Sequence, residues 1–399
     1  MSGALAPADR KLLDRVQAGV PLVELPFAAL AGDLGTDERN VLARLRRLAE
    51  ARVLRQIGAI FDTRACGYTS ALVAGRVAPG ALERAAAAVA AHPGVSHCYE
   101  RGHAWNLWFT LAVPPTSRLG LQRTVELLGA AAAAESIRTL PALRVFKIAA
   151  RFDMDETGAP PIAAAPAGGV GSGPRPPAAV GRFRVPRPTP ARASSPSKTA
   201  AVLENARGDA GRGPLPATGP AGAAAMGSAP LSDEEIEVVR ALQKPLALVE
   251  EPFATPAREA GMSQAELLAC AKTLLDRGVM RRFAGLLNHG RAGFGANVMA
   301  AWALPARRTE EAGTRIAGFR AVTHCYERPV FADWPYALFS MIHGRTREEC
   351  LCIVDAIRIA VGPDGAALLW TLREFKKTRL QLFTPDYEAW ETSVTESRR

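Results

Sequence analysis

None of the six cysteines forms a C-x-x-C pair, so neither a zinc ribbon nor a cluster-binding run is available and free thiols are expected. No stretch approaches about 18 uninterrupted apolar residues. The first eleven residues lack the basic-then-apolar order of a secretory signal, so the chain reads as cytoplasmic, with no membrane contact. No nucleotide, flavin, pyridoxal phosphate or metal motif is present. Aromatic residues are scarce, at 6%, and acidic ones are outnumbered, leaving a formal net charge of +10 that points to an anionic partner. An apolar fraction of 48% over 399 residues is still ample for two or three cores.

Half of the basic excess sits in one segment. Between Glu156 and Ser228 there are eight basic and three acidic residues. Residues 157–229 are dominated by Ala, Gly, Pro and Ser, a composition that cannot bury enough surface to offset its ordering entropy, and a disordered tether is expected there.

The two flanking halves repeat each other. His97-Cys-Tyr-Glu-Arg101 recurs unchanged as His324-Cys-Tyr-Glu-Arg328. Arg55-Gln-Ile-Gly-Ala-Ile-Phe-Asp62 is echoed from Arg281, and Leu143-Arg-Val-Phe-Lys147 by Leu372-Arg-Glu-Phe-Lys376. Each half opens with helix signals: Pro7-Ala-Asp9, and a capping box at Ser232-Asp-Glu-Glu235. A Pro-Phe element follows, then a third helix capped by Thr36 or Ser263, then a β-rich stretch (53–61, 279–287). Three helices and a wing make a winged helix-turn-helix. The remainder reads β-α-β-β-α-β, the ferredoxin-like order, with the last strand of the first half over 142–152. The expected fold class is α+β, with domains at 1–62 and 63–156, a linker over 157–229, domains at 230–290 and 291–386, and a flexible tail over 387–399.

This plan resembles the Lrp/AsnC regulators, and the motifs resemble the family's enzymatic offshoot, the siroheme decarboxylases. The carrying residues are Ile57-Gly-Ala-Ile-Phe-Asp-Thr-Arg64, the two His-Cys-Tyr-Glu-Arg runs, Asn106-Leu-Trp-Phe109, Leu287-Asn-His289, Gly293-Phe-Gly-Ala-Asn297, Asp333-Trp-Pro-Tyr336, His343-Gly-Arg345 and Arg373-Glu-Phe-Lys-Lys-Thr-Arg379. One departure is Arg282-Phe-Ala-Gly285, whose glycine falls one position late. The resemblance implies removal of carbon dioxide from the two acetate side chains of siroheme on the route to heme d1 or to heme, by two fused subunit types. It also implies that siroheme is the small-molecule partner. The two repeats are expected to pair within the chain, with a homo-oligomer or a homologous decarboxylase subunit as a further partner. No cofactor is expected, because the substrate brings its own iron.

Siroheme carries eight carboxylates, so its pocket needs fixed cations and flat apolar walls. Simple strand alternation puts Arg373, Phe375, Lys377 and Arg379 on one face, where the first half has Arg144, Phe146, Ile148 and Ala150. With Lys376 and Arg282, these cations are the candidate carboxylate clamp; a solvated edge strand is the alternative. Decarboxylation needs a proton for the new methyl group, and histidine titrates in the neutral range. His289, which occupies the repeat position of Asp62, His324 and His343 are therefore the candidate acid/base or orienting residues, or one is an axial ligand to the substrate iron. Tyr326, Trp334 and Tyr336 are candidate ring-stacking walls, or core residues, with Arg328 on the strand face of Tyr326. His97, Tyr99, Arg101, Trp105 and Trp108 form the corresponding first-half set, which lacks the extra cations and reads as a degenerate partner.

Two other readings remain open. A DNA-binding regulator requires a helix rich in Arg, Lys, Asn or Gln. The first half offers Arg39, Arg44, Arg46 and Arg47, but the second-half helix from Gln264 to Asp276 carries a single Lys, and no specific DNA contact is expected. A non-catalytic tetrapyrrole-binding partner would share the pocket residues and differ only in turnover.

Overall fold

The structure is a computed structural model and describes residues 5–148, 230–287 and 296–396. The linker and His289 lie outside the described residues. Each half begins with three helices: α1 (Pro7–Ala18), α2 (Pro26–Leu34) and α3 (Glu38–Glu50) in the first, and α6 (Asp233–Leu242), α7 (Ala254–Glu259) and α8 (Gln264–Asp276) in the second. Helix α6 has its capping box at Ser232 and α8 a second one at Ser263, whereas α3 is capped by Asp37, one residue after the expected Thr36. The wings are not hairpins within each half. Strand β1 (Leu54–Phe61) of the first half pairs antiparallel with β7 (Met280–Leu287) of the second, and one core unites both helix sets around this shared ribbon. The late glycine is explained by close packing: a Cβ on Gly285 would lie 2.9 Å from Val16 Cγ2 of α1.

The remaining strands form one nine-stranded antiparallel sheet in the order β5-β2-β4-β3-β11-β8-β10-β9-β6. The first half supplies β2 (Thr69–Arg76), β3 (Val95–Arg101), β4 (Leu107–Val113), β5 (Ser136–Leu140) and β6 (Arg144–Ile148), with α4 (Leu82–Ala90) and α5 (Gly120–Ala131). The second supplies β8 (Ala296–Ala303), β9 (Val322–Glu327), β10 (Leu338–Gly344) and β11 (Gly365–Lys377), with α9 (Thr309–Ala317) and α10 (Arg347–Val361). Helices cover the outer face over separate cores, and a fourth core fills the inner face between the halves.

The fourth ferredoxin-like strand of the first half is β5, not residues 142–152. After Pro141 the chain crosses over and β6 pairs with β9 of the other half, Arg144 opposite Glu327 and Ile148 opposite His324. Strand β11 does both jobs without a break: Gly365–Trp370 pair with β8, and Thr371–Lys377 pair with β3 of the first half.

The crossing strands are clasped by the repeated Leu-Arg-x-Phe-Lys motif. Arg144 pairs with Glu310 at 2.8 Å, and its repeat equivalent Arg373 pairs with Glu83. Lys147 Nζ donates to the Phe319 carbonyl (2.8 Å) beyond α9, and Lys376 Nζ to the Ala90 and His92 carbonyls (2.6 and 3.1 Å) at the end of α4. Each ammonium thus satisfies carbonyls that a helix terminus leaves open. Phe146 packs so closely on α9 that a Cβ on Gly313 would lie 2.4 Å from its ring.

Of residues 387–399, expected as a loose tail, 387–396 lie in α11 (Asp386–Glu396), which docks on the first half, and 397–399 lie outside the described residues. Buried Glu391 accepts from Ser117 Oγ and from the backbone N–H groups of Arg118 and Leu119 before α5, and Trp390 meets His92 edge-on at 4.1 Å.

Candidate functional site

The identical His-Cys-Tyr-Glu-Arg runs form β3 and β9. Cys98 and Cys325 belong to the outer cores, so alternation turns His97, Tyr99 and Arg101, and His324, Tyr326 and Arg328, to the inner face. Arg101 lies over Tyr99 and Arg328 over Tyr326, each at 4.9 Å. Both guanidiniums are tied across the halves. Arg101 Nη1 donates to the Leu369 carbonyl (3.1 Å) and Thr371 Oγ1 (2.6 Å), and Arg328 Nη1 donates to the Leu140 carbonyl. Burial lowers both pKa values to about 10. The structure therefore gives Arg328 a joint to hold.

A bulge precedes each histidine and aims it. The register shifts between Val95 and His97, and between Met341 and Ile342 opposite β9. Ser96 Oγ and Thr323 Oγ1 consequently reach Nδ1 of the following ring, each at 2.9 Å. Ser96 Oγ is braced in turn by Thr110 Oγ1 at 2.8 Å. In both rings Nδ1 is engaged and Nε2 is the nitrogen left to act. Both rings are half-buried. The pKa of His97 falls to about 4 through burial, then Lys377, Arg55 and His324; that of His324 falls to about 4 through burial, then Arg281.

The first lobe gathers Arg55 of the ribbon, His97, Tyr99, Lys377 and Arg379. Lys377 pairs in register with His97, while burial and the nearby Arg55 lower the pKa of Arg379 to about 10. Arg379 Nη1 donates to the Gln243 carbonyl at 3.3 Å. The second lobe gathers Arg281 of the ribbon, Asp62, Arg64, His324 and Tyr326. Asp62 Oδ2 accepts from Arg281 Nη2 (2.6 Å) and Nε (3.1 Å), and Oδ1 accepts from the backbone N–H of Arg64 and Ala65. Burial pushes the Asp62 carboxyl up, but the bond and charge of Arg281 and the two backbone donors outweigh it, and the net shift is downward. Arg64 Nη2 donates to the Ala142 carbonyl at 3.0 Å.

These placements redraw the clamp inferred from alternation. Bulges in β11 between Thr371 and Arg373 and between Glu374 and Lys376 break the period of two. Arg373, Phe375 and Lys376 face the outer helices, and only then does Lys377 turn inward. Because the strand has crossed over, Lys377 stands by His97 of the first half and Arg379 follows near Arg55, so the added cations belong to that set. Arg282 lies on the opposite side of the ribbon from Arg281, with Nη1 3.5 Å from the Gln17 carbonyl of α1. Trp334 is 2% exposed in the inner core, beside Trp108 and Phe339, with Tyr336 edge-on to it at 4.8 Å. His343 shares the inner face of β10 with Met341, the residue opposite His324. Sequence reasoning passed over Arg55 and Arg281, although the repeat itself aligned them.

Comparison with known proteins returns a consistent set. The family "Siroheme decarboxylase NirDL-like HTH domain" matches residues 9–55 and 235–281, and the "AsnC-like ligand binding domain" matches 65–147 and 291–376. A siroheme decarboxylase of Hydrogenobacter thermophilus is 34% identical over 380 residues, spanning 95% of this chain and 96% of that one. The siroheme decarboxylase NirDL subunit of Paracoccus denitrificans is 33% identical over 353 residues, 88% of this chain and 89% of the relative. The crystal structure of siroheme decarboxylase NirDL in co-complex with an iron-uroporphyrin III analogue superposes with a TM-score of 0.68 at 30% identity, covering 98% of this chain and 100% of the other.

Proposed function

The chain belongs to the siroheme decarboxylases, as a fused NirDL-like member, and from that premise we propose that it removes carbon dioxide from the acetates at ring carbons 12 and 18 of siroheme. The product is 12,18-didecarboxysiroheme, on the route to heme d1 or to heme, and the class of reaction is that of a carboxy-lyase. The observation that carries this reading is the repeated histidine on the inner face of each half, braced at Nδ1 by Ser96 or Thr323, with Lys377 in register with His97 and Arg281 of the ribbon paired with Asp62. A polycarboxylate needs such fixed cations, and guanidiniums pair with carboxylates in a bidentate way.

In each step a methylene–carboxylate bond breaks, carbon dioxide leaves, and the electron pair passes through the ring system to a carbon that takes one proton and becomes a methyl group. Net, one acetate and one proton give one methyl and one carbon dioxide, with no redox change. His324, with Nδ1 held by Thr323 and Nε2 free, delivers or receives the proton or ligates the substrate iron; His97 is its counterpart, and His343 and His289 remain candidates. Tyr326 supplies a wall, while Lys377 and Arg379 hold carboxylates. The substrate brings the iron, and no resident cofactor is required. All six cysteines are free thiols, which supports a reducing compartment, the cytoplasm. A second copy or a homologous decarboxylase subunit is the further partner.

The regulator reading is disfavoured by what the first-half helix does with its arginines. Arg44 and Arg47 pair with Asp9, itself 5% exposed, at 3.2 and 2.6 Å, and Arg46 donates to the Leu248 carbonyl. Arg44 and Arg47 tie α3 to α1 within the first helix set, and Arg46 ties it to the second half. The test is anaerobic incubation with siroheme, following product mass for loss of one or two carbon dioxide units. Loss that requires His324 establishes the enzyme, whereas binding without mass change leaves a carrier.

A further inference from the structure

The two lobes share a frame but differ in charge arrangement. Arg55 and Arg379 lie near each other with no acidic side chain in ion-pair range among the described residues, whereas Lys377 meets Glu374, the exposed residue opposite Tyr99, at 3.5 Å. In the second lobe Arg281 is paired with Asp62, while Arg64 and Arg328, like Arg379 of the first lobe, donate to backbone carbonyls, those of Ala142, Leu140 and Gln243. Asp62 thereby neutralises the guanidinium whose charge acts on His324 and Tyr326. The first half thus lends an acid to the lobe of the second, and the second lends two cations to the lobe of the first.

Decarboxylation moves negative charge off the carboxylate and into the macrocycle. A cation bonded to the reacting carboxylate stabilises the ground state more than the transition state and slows the step; an anion beside it does the opposite. Carboxylates that survive the reaction carry no such penalty and are best held by unpaired cations. We infer that the lobes divide the substrate's carboxylates: Arg55, Lys377 and Arg379 anchor those that are kept, and the His324 lobe, with Arg281 bonded to Asp62, takes the acetate that is lost. Asp62 is then a positioning residue that sets which carboxylates react. It withdraws Arg281 from the reacting acetate and orients it edge-on through two bonds. This inference rests on the decarboxylase reading above.

The test is a set of anaerobic single turnovers of siroheme with the full chain, varying enzyme concentration to separate half-saturation from limiting rate, with product mass as readout. Asp62→Asn keeps an oxygen for the Arg64 and Ala65 backbone donors, so the loop is retained, but it frees Arg281. It should lower the limiting rate about tenfold or more while half-saturation stays the same or tightens. Arg55→Gln and Arg379→Gln should each raise half-saturation about tenfold and change the limiting rate less. Asp62→Glu, which restores the charge, should recover most of the rate. An Asp62→Asn enzyme that keeps its limiting rate, or arginine variants that lose rate with unchanged half-saturation, overturns the division of lobes while leaving the decarboxylase intact. A wild type that binds siroheme and releases no carbon dioxide overturns the decarboxylase reading and this division with it.

Discussion

The first and second halves of this chain agree in the clasp and in the histidine frame, and differ in the charges set around each histidine. Arg144 and Arg373, Phe146 and Phe375, and Lys147 and Lys376 make the same contacts on opposite helices, so their repetition records the clasp. One residue further on, the halves part: Ile148 stands opposite His324, whereas Lys377 stands opposite His97. Identity between the copies therefore marks both the joint and the shared histidine frame, and the chemistry is divided by the positions at which the copies diverge.

The sharpest test of that comparison is the pair His324→Ala and His97→Ala. His324→Ala should cut the limiting rate roughly 10²- to 10⁴-fold, the range of a lost general acid or base, and His97→Ala should cost less in rate than in affinity. Equal rate losses would show two equivalent reacting lobes. Next in size, Gly313→Val should destabilise the fold by about 1–3 kcal/mol through overpacking against Phe146, seen as a lowered midpoint in urea. The equivalent first-half position is Ala86, which already accommodates a Cβ; an unchanged midpoint for Gly313→Val would remove the contact from the clasp.

The two rings should behave alike toward acid. Each has a folded pKa of about 4 against an ordinary 6.5, so the unfolded chain binds more protons between those values. Stability is fully present above pH 6.5 and falls as pH drops from there toward 4, by on the order of 2 kcal/mol per ring after allowing for partial solvent access. Urea melts at several pH values, with His97→Gln and His324→Gln each flattening the slope, check this; a slope that survives both changes assigns the acid sensitivity elsewhere. Smallest, Lys147→Ala and Lys376→Ala should each cost about 1 kcal/mol and leave decarboxylation per folded molecule unaltered. A selective loss of activity in Lys376→Ala would return that lysine to the binding site.

Much of this was legible before any coordinates. The repeat, the capping boxes at Ser232 and Ser263, and the helix and strand order of each half follow from periodicity and local chemistry. What sequence could not show was partnership. Nothing local distinguishes a wing hairpin from β1 pairing with β7, or a fourth strand from one that crosses over, because strand pairing is non-local. The clamp was misdrawn for a related reason: alternation assumes an unbroken ladder, and the bulges in β11 send Lys376 outward and Lys377 inward. Trp334 looked like a stacking wall and is core, as large aromatics commonly are. Arg282 drew attention and Arg281 did not, although adjacent residues on a strand face opposite ways and only one could reach the lobe.

The strand exchange also bears on how such a molecule comes into being. Alone, either half would present β3 or β9 as a bare edge and half a ribbon with nothing to pair, a template for mispairing with other chains. Joined on one polypeptide, the right edge is always nearby at an effective concentration in the range of mM for a short flexible connection and lower for a longer one. Assembly is then a first-order event that dilution does not weaken. Two separately made subunits would have to find each other by collision, and the one-to-one ratio that both lobes require would depend on matched expression. Here the ratio is written into the reading frame.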